Sequence, residues 1–159
     1  MPGDPFVTIV LEGAPRGKGR PRTRVVQAKG GPAFATIFTD KKTRDYENAL
    51  KAAGVAAMAG LQHLDEPVSV MALAYMPVPE SWSRKKREAA LAGEILPTSI
   101  DMDNIFKMID GLNYHPPRFK GDKEKRPIIW RNDGQIVAIQ ARKMYSDRPR
   151  LEIFVWKWG

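Results

Sequence analysis

The alternation of apolar and polar positions divides the chain into elements. Phe6–Leu11 is a short β-branched apolar run and predicts a first strand. Further on, Tyr46, Ala49, Leu50, Ala53 and Ala57 recur at helical spacing, with Lys42, Asp45, Asn48 and Lys51 largely off that face. Thr39 or Asp40 is placed to cap this helix, which runs to about Gly60. Val68–Tyr75, nearly continuous apolar sequence between Pro67 and Pro77, has the pattern of a central strand buried on both faces. Ser81 or Ser83 then caps a short basic helix, Arg84–Ala92, closed by Gly93. After a linker containing Pro97, Ile105, Met108, Ile109 and Leu112 form an i, i+3, i+4, i+7 stripe, a second core helix. Tyr114–Ile129 lacks periodicity and reads as an extended loop (113–129) with room for a hairpin. Gln135–Tyr145 and Arg150–Trp158 predict two final strands joined at Ser146–Pro149. The expected fold is one α+β domain spanning 1–159, a small mixed sheet flanked by helices.

Charge and composition narrow the function. The 159 residues carry 26 Lys plus Arg against 18 Asp plus Glu, a formal charge of +8, which makes nucleic acid the first candidate partner. With no cysteine, a disulfide scaffold, a thiolate zinc site, an iron–sulfur cluster and a thiol nucleophile are excluded. Two histidines, His63 and His115, leave little for a His-based metal cage or a serine triad. No apolar run approaches the ~18–20 residues of a membrane span, and the N-terminal residues lack a basic signal-peptide region. No membrane association and a cytoplasmic setting are therefore expected.

A basic segment, residues 16–33, is read as a loop. Arg16, Lys18, Arg20, Arg22 and Arg24 occupy every second position with no acid among them, so an extended backbone projects all five to one side. These cations, and the Arg84, Lys85, Lys86 and Arg87 cluster, are either phosphate contacts or solvated surface.

The chemistry-bearing pattern is acidic. Asp103, Lys107 and Asp110 lie opposite the apolar stripe of the second core helix, Asp101 just precedes it, and Asp133 stands at a strand entrance. Three acids converging from a helix start and a strand start make an oxygen-ligand site for Mg²⁺ or Mn²⁺, with Lys107 placed to orient water or stabilise developing charge. Equally, Asp103 serves as an N-cap, Lys107 as its i, i+4 partner, and Asn132-Asp133-Gly134 as a tight turn.

Asp101-Met102-Asp103-Asn104-Ile105-Phe106-Lys107, Asp110 and Trp130-Arg131-Asn132-Asp133-Gly134-Gln135-Ile136 together resemble the RusA family of Holliday-junction resolvases. In that family D-x-D-N-x-x-K opens a helix and W-x-D-D-x-Q-V follows. Gly17–Arg22, Lys41–Tyr46 and the Ser81–Glu94 helix resemble phage-type members. The resemblance implies a homodimer of RusA-like fold that resolves four-way DNA junctions by paired, symmetric cuts, leaving 5′-phosphate and 3′-hydroxyl ends. It implies Asp101, Asp103 and Asp133 as catalytic metal ligands for Mg²⁺, with Mn²⁺ expected to substitute, and Lys107 as a catalytic lysine. Lys18, Arg20, Arg22, Arg24 and the Arg84–Arg87 cluster become DNA-binding residues of a protein acting in a bacterial cell, with a phage or prophage origin.

Two features depart from the family pattern. Asn132 replaces the first aspartate of W-x-D-D; the family role maps to Asp133, so activity is expected with altered metal affinity. The 113–129 segment is longer than usual, and its Arg118, Lys120, Lys123, Lys125 and Arg126 are either DNA contacts or a surface loop. Alternative functions are a broader branched-DNA or flap nuclease and a non-catalytic junction binder.

Overall fold

The computed structural model describes residues 3–19, 22–27 and 29–159. A four-stranded mixed sheet forms the centre: β1 (Val7–Glu12), β4 (Val68–Pro77), β5 (Ile136–Ser146) and β6 (Arg150–Lys157), in the order β1-β6-β4-β5. β6 runs antiparallel to both β1 and β4, whereas β4 and β5 are parallel. Three helices, α1 (Lys41–Ala57), α2 (Arg84–Leu91) and α3 (Met102–Ile109), complete the described α+β domain.

Val68, Val70, Ala72 and Ala74 of β4 are wholly buried, as a central strand requires. The expectation of burial on both faces is only half met, because Met71, Leu73 and Tyr75 on the other face stay partly exposed. There the strand shares a shallow apolar surface with Phe154 and Trp156. Ile105, Met108, Ile109 and Leu112 are at most 2% exposed, so the helical stripe is core. At about 1.5–3 kcal/mol for each such side chain, this stripe fixes the roll of α3 and hence where its polar face points.

Asp40, not Thr39, caps α1, accepting from the Thr43 amide at 3.0 Å and the Thr43 hydroxyl at 2.6 Å. Ala49 is exposed; the buried line of α1 runs through Thr43, Leu50 and Gly54. A β-carbon on Gly54 would stand 2.7 Å from Leu112 Cδ2, so a glycine lets α1 close on the end of the α3 segment.

The largest departure lies in the basic segment. Rather than a loop, β2 (Arg22–Gln27) pairs antiparallel with β3 (Ala33–Phe38) in a separate two-stranded sheet. β-Branched and aromatic residues in both runs (Thr23, Val25, Val26, Phe34, Thr36, Ile37, Phe38) supply the strand preference that the surrounding Gly and Pro mask. Arg20 lies outside the described residues.

Candidate active site

Each carboxylate is placed by its element. Asp101 is the N-cap of α3, with extended backbone and no capping hydrogen bond from its side chain. Asp103 is not the cap; it sits in the first turn, where the helix dipole favours negative charge, and accepts from Lys107 Nζ at 2.7 Å. That hydrogen bond, with the lysine's charge, holds the Asp103 carboxyl below its ordinary range.

Asp133 opens a single 3₁₀ turn, Asp133–Gln135, built by its neighbours. Asn132 caps the turn, its side chain accepting from Gly134 N at 2.9 Å. An aspartate would accept that bond equally, which accounts for Asn132 in the usual aspartate position. Gln135 ties the turn down: Oε1 accepts from the Arg131 amide at 2.7 Å and the Asn132 amide at 3.2 Å. Its Nε2 donates to the carbonyls of Leu64 at 2.9 Å and Glu66 at 3.0 Å.

Asn113 links this turn to α3. It is 8% exposed and accepts the indole N–H of fully buried Trp130 on Oδ1, while Nδ2 donates to Asp133 Oδ1. An indole only donates, so Trp130 fixes the amide orientation and turns the Asn113 NH₂ toward the carboxylate. Sequence reading missed Asn113; its only sequence signal was a polar residue directly after a buried leucine.

Asp110 follows α3 and begins a 3₁₀ turn, Asp110–Leu112. Burial first, and then the negative charge of Asp133, raise its carboxyl above the ordinary range; Glu47 adds to this, while Lys18 and Lys107 oppose it. Lys18 pairs with Glu47 of α1 at 3.2 Å. The Lys18 amide donates to the Asn104 carbonyl at 3.0 Å, and a β-carbon on Gly17 would lie 2.7 Å from Ile100 Cγ2. The Gly17–Lys18 segment is thus docked on the start of α3, and Lys18 already has an acidic partner. Glu47, also missed by sequence reading, brings a further carboxylate to this neighbourhood.

Asp101 and Asp103 thus stand at the start of α3 and Asp110 just past its end, with Lys107 bonded to Asp103 and acting on Asp110, and with Asp133, Glu47 and Lys18 also acting on Asp110. Among the described residues, no three His, Asp or Glu side chains already stand at metal-holding distance. The donor set nonetheless suits a hard divalent cation. It is all oxygen and solvent-facing, Asn113 engages one Asp133 oxygen, and Asp110 and Asp133 oppose like charges.

The other expected cations divide. Arg22 and Arg24 are exposed on β2. In α2, capped by Ser83, Arg84 pairs with Glu88 at 2.8 Å, Lys86 lies 3.9 Å from the Trp82 ring centroid, and Arg87 donates to the Pro79 carbonyl at 3.1 Å. Lys85 is exposed and has no ion-pair partner among the described residues. The 113–129 loop is organised around Asp122, whose carboxylate accepts from the Arg118 amide at 2.9 Å, Arg118 Nε at 3.0 Å and the Glu124 amide at 3.1 Å. Tyr114 and Pro127 form an antiparallel bridge, and Arg126 donates to the Pro116 carbonyl at 2.9 Å, so two of the loop's five cations serve its own structure.

Residues 12–156 match the family model described as Endodeoxyribonuclease RusA. The chain belongs to the RusA family. It is also 29% identical over 161 residues to the uncharacterized protein YqaN of Bacillus subtilis (strain 168), covering 94% of each chain. The RusA match spans α3, the 133–135 turn, β4, β5 and β6 as far as Trp156, and meets β1 only at Glu12. No helix among the described residues is long and apolar enough to cross a membrane.

Proposed function

We propose that this RusA-family protein is a Mg²⁺-dependent endodeoxyribonuclease that resolves four-way DNA junctions, with Mn²⁺ able to substitute. The observation that carries the reading is the Asp133 carboxylate, held by Asn113 close enough to Asp110, just past α3, for the two negative charges to oppose each other. Asp101, Asp103 and Asp133 would hold the ion; when bound, it supplies a water of lowered pKa and a counter-charge to the phosphodiester. Asp101 has no capping bond to give up in offering its oxygens. Asp103 needs Lys107 to release it, which frees the ammonium to face the negative charge developing on phosphorus oxygens. Water adds to phosphorus and the P–O3′ bond breaks, leaving a 5′-phosphate and, once O3′ gains a proton, a 3′-hydroxyl. Arg22, Arg24 and Lys85 contribute phosphate contacts, which position the DNA without reading sequence. Two opposed cuts in one binding event call for two sites, hence a two-fold homodimer on a near two-fold junction. This chemistry fits the cytoplasm of a bacterial cell and a phage-type role in DNA recombination.

The test is cleavage of a synthetic mobile four-way junction, with a flap and a linear duplex alongside, with and without Mg²⁺. Paired cuts at symmetry-related positions, appearing only with metal and only in the junction, are expected. Equal cutting of the flap would broaden the substrate class. Tight binding without cleavage in either Mg²⁺ or Mn²⁺ would leave a junction-binding protein.

A further inference from the structure

We propose that the β2–β3 hairpin enters the branch point of DNA and that Phe34 and Phe38 stack on bases exposed there. This inference rests on the branched-DNA reading above and adds a recognition element to it. Residues 13–39 contain no Asp or Glu, and the β2 and β3 strands stand apart from the central sheet. An isolated two-stranded hairpin is marginal in water, so a surface it binds contributes to its order.

The strand register sorts the hairpin into two faces. Arg22 opposes Phe38, Arg24 opposes Thr36 and Val26 opposes Phe34, so these six residues share one face. The other face carries Thr23, Val25, Gln27, Ala33, Ala35 and Ile37. On the first face Phe34 is 55% exposed and Phe38 is 41% exposed, beside two exposed arginines. Cations interleaved with uncovered aromatic rings are the chemistry of single-stranded nucleic acid: guanidinium groups take phosphates and rings take bases. A second copy of this chain suits that face poorly, since an isologous contact sets the same arginines near one another.

Position supports the same occupant. The hairpin leaves from Lys18, whose amide is bonded to Asn104 of α3, and returns at Asp40, the cap of α1. Its six-residue strands extend about 20 Å. The arm is thus rooted beside the start of α3, which carries Asp101 and Asp103, and it reaches across the DNA whose phosphodiester lies there. At a four-way junction, base pairs next to the crossover stack less firmly than in continuous duplex, which gives the rings bases to meet.

The test uses the full-length protein with Ca²⁺ in place of Mg²⁺, and three DNAs carrying 2-aminopurine: a junction labelled at the crossover, a matched duplex and a single strand. Phe34→Ala/Phe38→Ala is expected to lose about ten-fold or more in junction and single-strand affinity, together with the fluorescence change, at unchanged duplex affinity. Phe34→Leu/Phe38→Leu should fail likewise, which separates stacking from apolar bulk. By contrast, Arg22→Ala/Arg24→Ala should weaken all three DNAs and lower the salt slope by about 1.4–1.8. Both Phe variants should keep the wild-type circular dichroism, since the rings are exposed. Unchanged affinity and fluorescence in the Phe variants would overturn the proposal. So would a changed sedimentation mass, which would make the face an interface between copies. If wild type bound junction and duplex equally, the junction reading would fall, and the single-strand arm would still decide whether the rings stack.

Discussion

Asn113 donates its side-chain amide to the Asp133 carboxylate from a position locked by the buried indole of Trp130. The relay runs from the core to the solvent-facing acid, so packing at Trp130 sets the direction of Asp133. Asn113→Ala removes both bonds and leaves the Trp130 N–H without a partner in the interior, a loss of about 1–3 kcal/mol. Asn113→Asp still accepts from Trp130 but opposes a second carboxylate to Asp133. Nuclease activity should fall in both, and added Mg²⁺ should recover it better in the Asp variant, which supplies an extra anionic ligand. Urea titration and metal-dependent cleavage check this; wild-type activity in Asn113→Ala would remove the relay from the site.

Lys107 and Asp103 form an exposed i, i+4 pair on α3. Such pairs add little to stability. Lys107→Met should therefore leave Tm nearly unchanged while lowering cleavage about 10²-fold or more, the scale of losing one charge-stabilising donor. Asp103→Asn should bind junction normally and cut poorly. A Tm loss in proportion to the activity loss would mean that the pair is structural.

Asp110 gives a pH dependence of definite sign. Burial and the neighbouring Asp133 raise its folded pKa above the unfolded value, so the ionised form disfavours folding. The penalty is absent when both states are protonated, develops as pH rises through the unfolded pKa of about 3.9, and is complete above the folded one. With divalent metal removed by chelator, Asp110→Asn should raise Tm at neutral pH, with the gain vanishing toward pH 3. A gain that persists at pH 3 would point to packing instead.

The elements that carry the acids were legible because local pattern and burial agree. The stripe Ile105-Met108-Ile109-Leu112 fixes α3 with little help from the rest of the chain, and with it the placement of Asp103, Lys107 and Asp110. What stayed hidden depends on distant residues. Asn113 is buried because Trp130 needs an acceptor, 17 residues away. Lys18 meets Glu47 only once the 17–18 segment docks on Asn104. In the β2–β3 arm, arginines and flanking Gly and Pro obscured a strand preference that pairing with Ala33–Phe38 makes effective. Nothing in the sequence sets Asp122 apart from Glu124 in the same loop, yet the Asp122 carboxylate organises the 113–129 loop.

Lys143, on β5, donates to the Ser99 carbonyl at 3.2 Å and to the Ile100 carbonyl at 2.7 Å, one residue before Asp101. Ile100 has φ +64°, a left-handed conformation that is unfavourable for a β-branched residue by about 1–2 kcal/mol. The ammonium thus fixes a backbone that would otherwise relax, and the direction of Asp101 follows from it. Lys143→Met keeps the apolar stem and loses both bonds. It should lower kcat about ten-fold with KM for the junction little changed, because the loss acts on a proposed metal ligand and not on a proposed DNA contact. Gly17→Ala presses on the same point from the opposite side, as its β-carbon would lie 2.7 Å from Ile100 Cγ2 and 2.8 Å from Asn104 Cβ. The two variants should share a phenotype, and the double variant should be less than additive if both act by releasing Asp101. A strictly additive double variant, or a raised KM with unchanged kcat, would show that the Ile100 turn does not position the acid.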